Sequence, residues 1–507
     1  ANRSRGVDDP VEASASGRGG VSLPAWPGSC QFRPMPLRTP VPRRRSSAAA
    51  VAPRASTQPY TLDASLSPAL RGLLLGLFLL LMVLTVVLVR WGFAGLPVRT
   101  GVAAAMLGLL VLLSPHSLLT AAADLRRVIA FVTAAGVIAF VVTVLNGDGV
   151  ALGSRQALEV HVQAVLTLVM VGGLVRTCGV RPVAYVFIGV VAVTSAVAVL
   201  QAVGLEAAWE PRRFAGDLMN DPPHNRLSYT RMDRPLGLSF SSIHLATQAC
   251  LAFIVFYALR LRTKAPAQEI DHAIVAGLVA LVFVCVMSGN RSPILGAAIF
   301  SALYVLIKAP KLFWVVAPVA AAVAPLLWIG LESLAQSGVR VAETDDGSAH
   351  GRVVLARLGV LLFLDQPMGY GMGFDSREHW YRFWDELKLM SNPDQVKSQT
   401  LHNYFLMVLN KHGIGLLLLL PLIIPRTLVG WSACLPGVIY LSHVAFHNDG
   451  PLQGDVYIWI VVAIMSVALQ ERARRFGAAA SDPVGQPRGD LRRPGRRRPA
   501  AARSGAG

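Results

Sequence analysis

At 507 residues, 53% hydrophobic and only 15% charged, the chain has a mean hydropathy of +0.51 and a net charge of +18. A soluble protein of this length carries about a quarter of its residues as charges, so water is not the main solvent of this one. The positive charge is concentrated in the tails, +5 over residues 1–64 and +7 over residues 470–507. Basic tails flanking apolar spans are what an anionic membrane leaflet attracts, which argues against a nucleic-acid partner.

The N-terminal tail, rich in Arg, Pro, Ser and Ala, has the composition of neither a globular domain nor a signal peptide and is expected to be disordered. It begins at Ala1 rather than Met, as a fragment or an over-extended reading frame would. Cys30, Cys178, Cys250, Cys285 and Cys434 form no CxxC and no pairable cluster, so neither a disulfide nor a thiolate metal site is implied.

A helix that crosses a bilayer needs about 20 mostly apolar residues. Runs of that kind fall at 70–89, 97–114, 128–146, 160–176, 183–203, 243–259, 272–288, 293–308, 312–331, 403–424, 427–445 and 453–469, about twelve in all. Loops carrying Arg126 and Arg127, Arg176 and Arg181, Arg260, Arg262 and Lys264, Lys308 and Lys311, and Arg426 alternate with short loops holding only Arg90, Arg99, Arg155 and Arg291. The positive-inside rule then puts both termini in the cytoplasm.

The expected architecture is an all-α polytopic membrane protein with about twelve transmembrane helices. A cytoplasmic tail over 1–64 precedes helices 1 to 9 over 65–331, which include an outer loop at 204–242. An extracytoplasmic cap loop over 332–402, helices 10 to 12 over 403–469 and a second disordered basic tail over 470–507 follow. Trp380, Trp384 and the apolar stretch 353–364 favour an ordered cap on the membrane surface. Chemistry is expected on that side.

Arg291 stands in a tight turn between two apolar runs, with Ser292 a plausible N-cap and Pro293 at the first helical position. A guanidinium held there can bind phosphate oxygens through its planar fork, although an interfacial arginine can also snorkel to ordinary lipid phosphates. Arg352 lies on a segment whose Val353, Val354, Leu358 and Leu361 can form an apolar face, with Arg357 a weaker candidate. His402 follows Thr400, a candidate N-cap that would put the imidazole in a helix's first turn, where the positive dipole end favours a neutral base.

Other polar clusters read as structural. The first outer loop, from Arg90 to Arg99, has no acidic residue, and Asp345 and Asp346 are expected to solvate the cap. His443 and His447, near Asp449 and Asp455, imitate a metal cluster, but two histidines at helical spacing have blander explanations. The Gly369, Gly371 and Gly373 alternation reads as a tight turn that returns the cap to the membrane.

Four segments carry a resemblance: GRVVLARLGVLLFLDQPMGYGMGF from Gly351 to Phe374, LHNYFLMVLNKHGIGLLLLL from Leu401 to Leu420, SGNRSP from Ser288 to Pro293, and RPLGLSFSS from Arg234 to Ser242. Together they resemble the O-antigen ligase and polymerase family of bacterial envelope glycosyltransferases. The resemblance implies a GT-C-like enzyme of the bacterial plasma membrane, inverting and metal-independent, with no cofactor. Its donor would be a glycan on undecaprenyl pyrophosphate. Its acceptor would be a lipid-, glycan- or protein-linked hydroxyl, with membrane lipids the only other partners and no nucleic acid. Carried onto this chain, the resemblance makes His402 the general base, Arg291, Arg352 and Arg234 the pyrophosphate ligands, and Asn403 and Tyr404 supporting residues. A repeat-unit polymerase is the alternative within the family. A transporter or flippase is the alternative outside it, but it should show internal repeats and polar, broken helices near the midplane, whereas the polar residues here gather at the outer boundary and in the cap.

Overall fold

The computed structural model describes residues 66–93, 96–147, 149–221, 226–227, 229–230, 232, 234–263, 269–314, 317–318, 347–425 and 428–481. All of them belong to one unit, Pro59–Gly507. The predicted tail 1–64, most of the predicted span 312–331 and residues 332–346 of the predicted cap, with Asp345 and Asp346, lie outside the described residues.

Among the described residues, the regular structure is helical apart from a two-residue antiparallel ladder, Gly92–Phe93 with Leu96–Pro97. The helices are α1 (Pro68–Val86), α2 (Val98–Leu113), α3 (Pro115–Asp124), α4 (Arg126–Leu145), α5 (Val150–Cys178), α6 (Val180–Ala202) and α7 (Glu210–Leu218). They continue with α8 (Ser242–Thr263), α9 (His272–Met287), α10 (Ser292–Lys308), α11 (Gly347–Asp365), α12 (Tyr404–His412), α13 (Leu428–Cys434), α14 (Gly437–Val444) and α15 (Val456–Ser481). Starts are set by local chemistry. Ser67 caps α1 by accepting from the Leu70 amide, and Asp271 caps α9 by accepting from Ala273.

Among the described residues, α1, α4, α5, α6, α8 and α15 are long and apolar enough to cross a membrane. Their outward faces match that reading, since Leu145, Val193 and other large apolar residues stand exposed on the surface where a soluble helix would be polar. Two bent pairs raise the number to eight: α2 with α3, turned through 107° at Ser114, and α12 with Ile414–Ile423, turned through 102° at Gly413. The all-α class is therefore seen, with six to eight candidate spans where the sequence suggested about twelve. Of the other four predicted spans, 312–331 lies mostly outside the described residues, α9 and α10 have only 16 and 17 residues, and the run 427–445 is divided into α13 and α14.

Two boundaries also move. Helix α5 begins at Val150, so Arg155 lies within a helix rather than in a loop. Helix α15 continues to Ser481, so residues 470–481 are not tail; Glu471 there forms an ion pair with Arg262, and Gln470 accepts from Arg176.

The segment predicted as the cap builds a small core with α12. Val354, Leu355, Leu358, Leu361 and Leu362 recur with helical spacing on one face of α11 and bury against Leu387, Val396, Leu401 and Met407. Each such leucine contributes about 2 kcal/mol by leaving water. Val353, expected on that face, is exposed instead. The glycine-rich turn fills the break after α12: Tyr370 and Gly371 donate to the Asn410 and Lys411 carbonyls, and Ile414 donates to Pro367. These bonds satisfy groups that a bent helix leaves open, so the turn is a joint, as expected, and not a phosphate cradle.

Candidate functional site

The turn between α9 and α10 is fixed by its own polar groups. Gly289 takes a positive φ of 70°, the Asn290 amide donates to the Cys285 carbonyl, and the Asn290 side chain donates to the carbonyls of Ser242 and Ser288. Arg291, not Ser292, is the N-cap of α10, and Pro293 is one position further in than expected. The Ser292 hydroxyl is engaged elsewhere, 3.0 Å from His443 Nδ1.

Thr400 is likewise not the cap of α12. Asn403 is, its Oδ1 accepting from the Leu406 amide at 3.1 Å, so His402 precedes the helix rather than lying in its first turn. His402 is mounted on both sides: the Leu401 amide donates to buried Ser376, and His402 Nδ1 donates to the Thr400 carbonyl at 2.8 Å. Asn448 in turn donates to Thr400 Oγ1 at 3.2 Å. With Nδ1 protonated, Nε2 of the neutral ring is the acceptor.

Arg234 comes from the loop after α7. Buried Gln201 clamps that loop with its whole amide, accepting from Leu236 and Gly237 and donating to the carbonyls of Gly237 and Ala208. Further back, Arg212 pairs with Asp221 in complete burial and lies over the Tyr229 ring.

These segments meet. Arg234, Arg291, Arg352, His402 and Asn403 line one cavity of about 640 Å³, a volume suited to a small-molecule or glycan headgroup. No carboxylate is among its lining residues, and three guanidinium groups are.

Residues 276–420 match the O-antigen ligase family. No curated protein and no solved structure matches the chain. The O-antigen ligase match contains Arg291, Arg352, His402 and Asn403 but not the Arg234 segment, although Arg234 reaches the same cavity. Together with the apolar helices, it supports a membrane protein of the O-antigen ligase and polymerase type.

Two sequence candidates lie elsewhere. Arg357 pairs with Glu386 on the exposed cap, and Tyr404 is not among the lining residues. The buried Tyr404 hydroxyl accepts from the Leu452 amide, and its ring packs where a side chain on Gly450 would sit.

Other residues take part, among them two histidines expected to be structural. His447 lines the cavity, His443 holds Ser292, and Asn448 holds Thr400. They form no metal centre: among the described residues, no three histidine, cysteine or acidic side chains gather in metal-binding geometry. The available signal was the polar triplet His447 to Asp449, ending an apolar segment. Burial, with His443, Arg352 and His402 nearby, holds the His447 imidazole well below its ordinary value, hence neutral.

Proposed function

We propose that the protein transfers a glycan from undecaprenyl pyrophosphate to an acceptor hydroxyl at the outer face of the plasma membrane. The observation that carries this reading is the convergence of Arg234, Arg291, Arg352 and His402 on one cavity. Guanidinium groups from three separate segments provide planar forks for diphosphate oxygens. His402, its Nδ1 proton committed to Thr400, offers Nε2 as the base.

In the reaction, the acceptor oxygen attacks the anomeric carbon on the face opposite the diphosphate. The bond from that carbon to the diphosphate oxygen breaks, and its electron pair leaves with the diphosphate. His402 Nε2 takes the hydroxyl proton, and the arginines stabilise the charge on the leaving group. The configuration inverts. Counter-charge comes from protein cations, in keeping with a cavity lined by no carboxylate.

The outer placement is supported by charge. Helix α8 begins at the cavity and runs about 33 Å to Arg260 and Arg262, and α10 runs from the cavity to Lys308. The basic residues thus gather at the far end, as expected for a cytoplasmic one.

The test supplies membranes containing the protein with lipid-linked glycan and candidate acceptors. Wild type is compared with His402→Ala and Arg291→Ala, and activity is expected to persist in EDTA. Full transfer by both variants would refute the proposal. A ladder of repeat units would identify polymerisation, and one glycan joined to lipid or protein would identify ligation.

A further inference from the structure

We infer that His447 is a ligand-contacting residue of the cavity, one that gains a proton when a diphosphate glycoside binds and so becomes a further cation beside the three arginines. The inference rests on the diphosphate reading of the cavity given above. It concerns a residue outside the segment that matches the O-antigen ligase family.

His447 is only 6% exposed, yet it lines the cavity. Its ring nitrogens have no hydrogen-bond partner among the described residues, whereas the other histidines there are all engaged. His402 Nδ1 donates to Thr400, His443 bridges Ser292 and Thr247, and His244 Nδ1 lies 2.8 Å from Ser241 Oγ. A polar ring that faces a cavity without a protein partner leaves its hydrogen bonds for a ligand or water to complete. The opening that completes this one is the cavity.

The neighbours explain why the proton waits for the ligand. The His443 ring lies tilted against that of His447, with ring centroids 4.5 Å apart. Arg352 faces it from α11, His402 from the segment before α12 and His244 from α8, and Arg291 lines the same cavity from its turn. Asp449, two residues further on, is the nearby acid and acts on His244. In the empty cavity, an imidazolium would add to a set of cations in a poorly solvated place. A diphosphate diester brings two negative charges into that set and reverses the balance. The proton comes from solvent, and one ring nitrogen of His447 then donates to a phosphate oxygen.

The experiment is titration calorimetry of the full chain in lipid nanodiscs with farnesyl-diphospho-N-acetylglucosamine at about pH 7.5. This diester has no titrating group near neutrality, so proton exchange belongs to the protein. Repeating the titration in HEPES and in Tris separates the buffer's ionisation heat from the binding heat. Wild type is expected to take up a proton, and His447→Gln to bind several-fold more weakly without uptake. Binding by wild type with no uptake overturns the inference and leaves the transferase reading standing. So does uptake that survives in His447→Gln or disappears only in His402→Gln. No binding by wild type defeats both. If the variant fails to fold, wild type alone decides, because proton uptake requires affinity to rise as the pH falls from about 8 to 7 and a flat profile excludes it.

Discussion

His402 Nδ1 lies 2.8 Å from the carbonyl oxygen of Thr400. A carbonyl can only accept, so this contact fixes the tautomer and leaves Nε2 as the acceptor of a ring that lines the cavity. Replacing His402 by Ala is expected to lower transfer about 10²- to 10⁴-fold, the usual range for a general base. The ring is partly buried but belongs to neither hydrophobic core, so thermal unfolding should change little. A comparable loss of folded protein would assign the effect to structure instead.

Arg291 and Arg352 make a separate prediction. A lysine keeps the charge but replaces the planar fork with a single ammonium, losing paired phosphate contacts. Arg291→Lys and Arg352→Lys should each retain a fraction of the activity that Ala removes, and the loss should appear in kcat as well as KM. Lysine variants with full activity would show that charge alone is read.

The spans were legible because hydropathy is local: α1, α4, α6 and α8 follow apolar runs close to those seen in the sequence. The arginines and His402 were legible through short motifs. What escaped depends on partners distant in the chain. His443 contacts Ser292 across 151 positions and Thr247 across 196, and no local pattern distinguishes such a histidine from a core one. The helix caps misled for the same reason. Thr400 and Ser292 have suitable side chains for N-caps, but Asn448 and His443 occupy their hydroxyls.

Gln201 tests whether Arg234 belongs to the working site. Its amide serves three backbone groups of the loop and the Ala208 carbonyl before α7, all buried, and each would cost about 1–3 kcal/mol if left without a partner. Gln201→Glu keeps the acceptor that serves Leu236 and Gly237 but loses the two donated bonds. It is expected to raise the donor KM more than it lowers kcat, as a displaced binding arginine would. A variant with lowered stability but unchanged KM would confine Gln201 to folding.

Gly413 joins α12 to the segment that follows it, with φ at 66°. A side chain there would overlap the Met368 carbonyl, and the left-handed backbone is strained for any residue with a Cβ. Gly413→Ala should therefore destabilise the joint by several kcal/mol, read as a drop in unfolding temperature in detergent. Because α12 carries the Asn403 cap beside His402, transfer should fall with it despite the distance from the cavity.

Asp455 supplies the pH dependence. It accepts from the Tyr440 hydroxyl at 2.8 Å and from the Tyr457 amide, and burial raises its carboxyl from 3.8 to about 6. The folded chain thus holds this proton more tightly than the unfolded one between those values. As pH falls through about 6 the folded state gains stability, and the gain is complete below the ordinary carboxylate range. Asp455→Asn, which keeps an acceptor for the Tyr457 amide and can donate to the Tyr440 oxygen, removes this titration. The difference in unfolding temperature, wild type minus variant, should therefore rise between about pH 7 and pH 5. A constant difference would mean that the carboxyl titrates normally and that water reaches it.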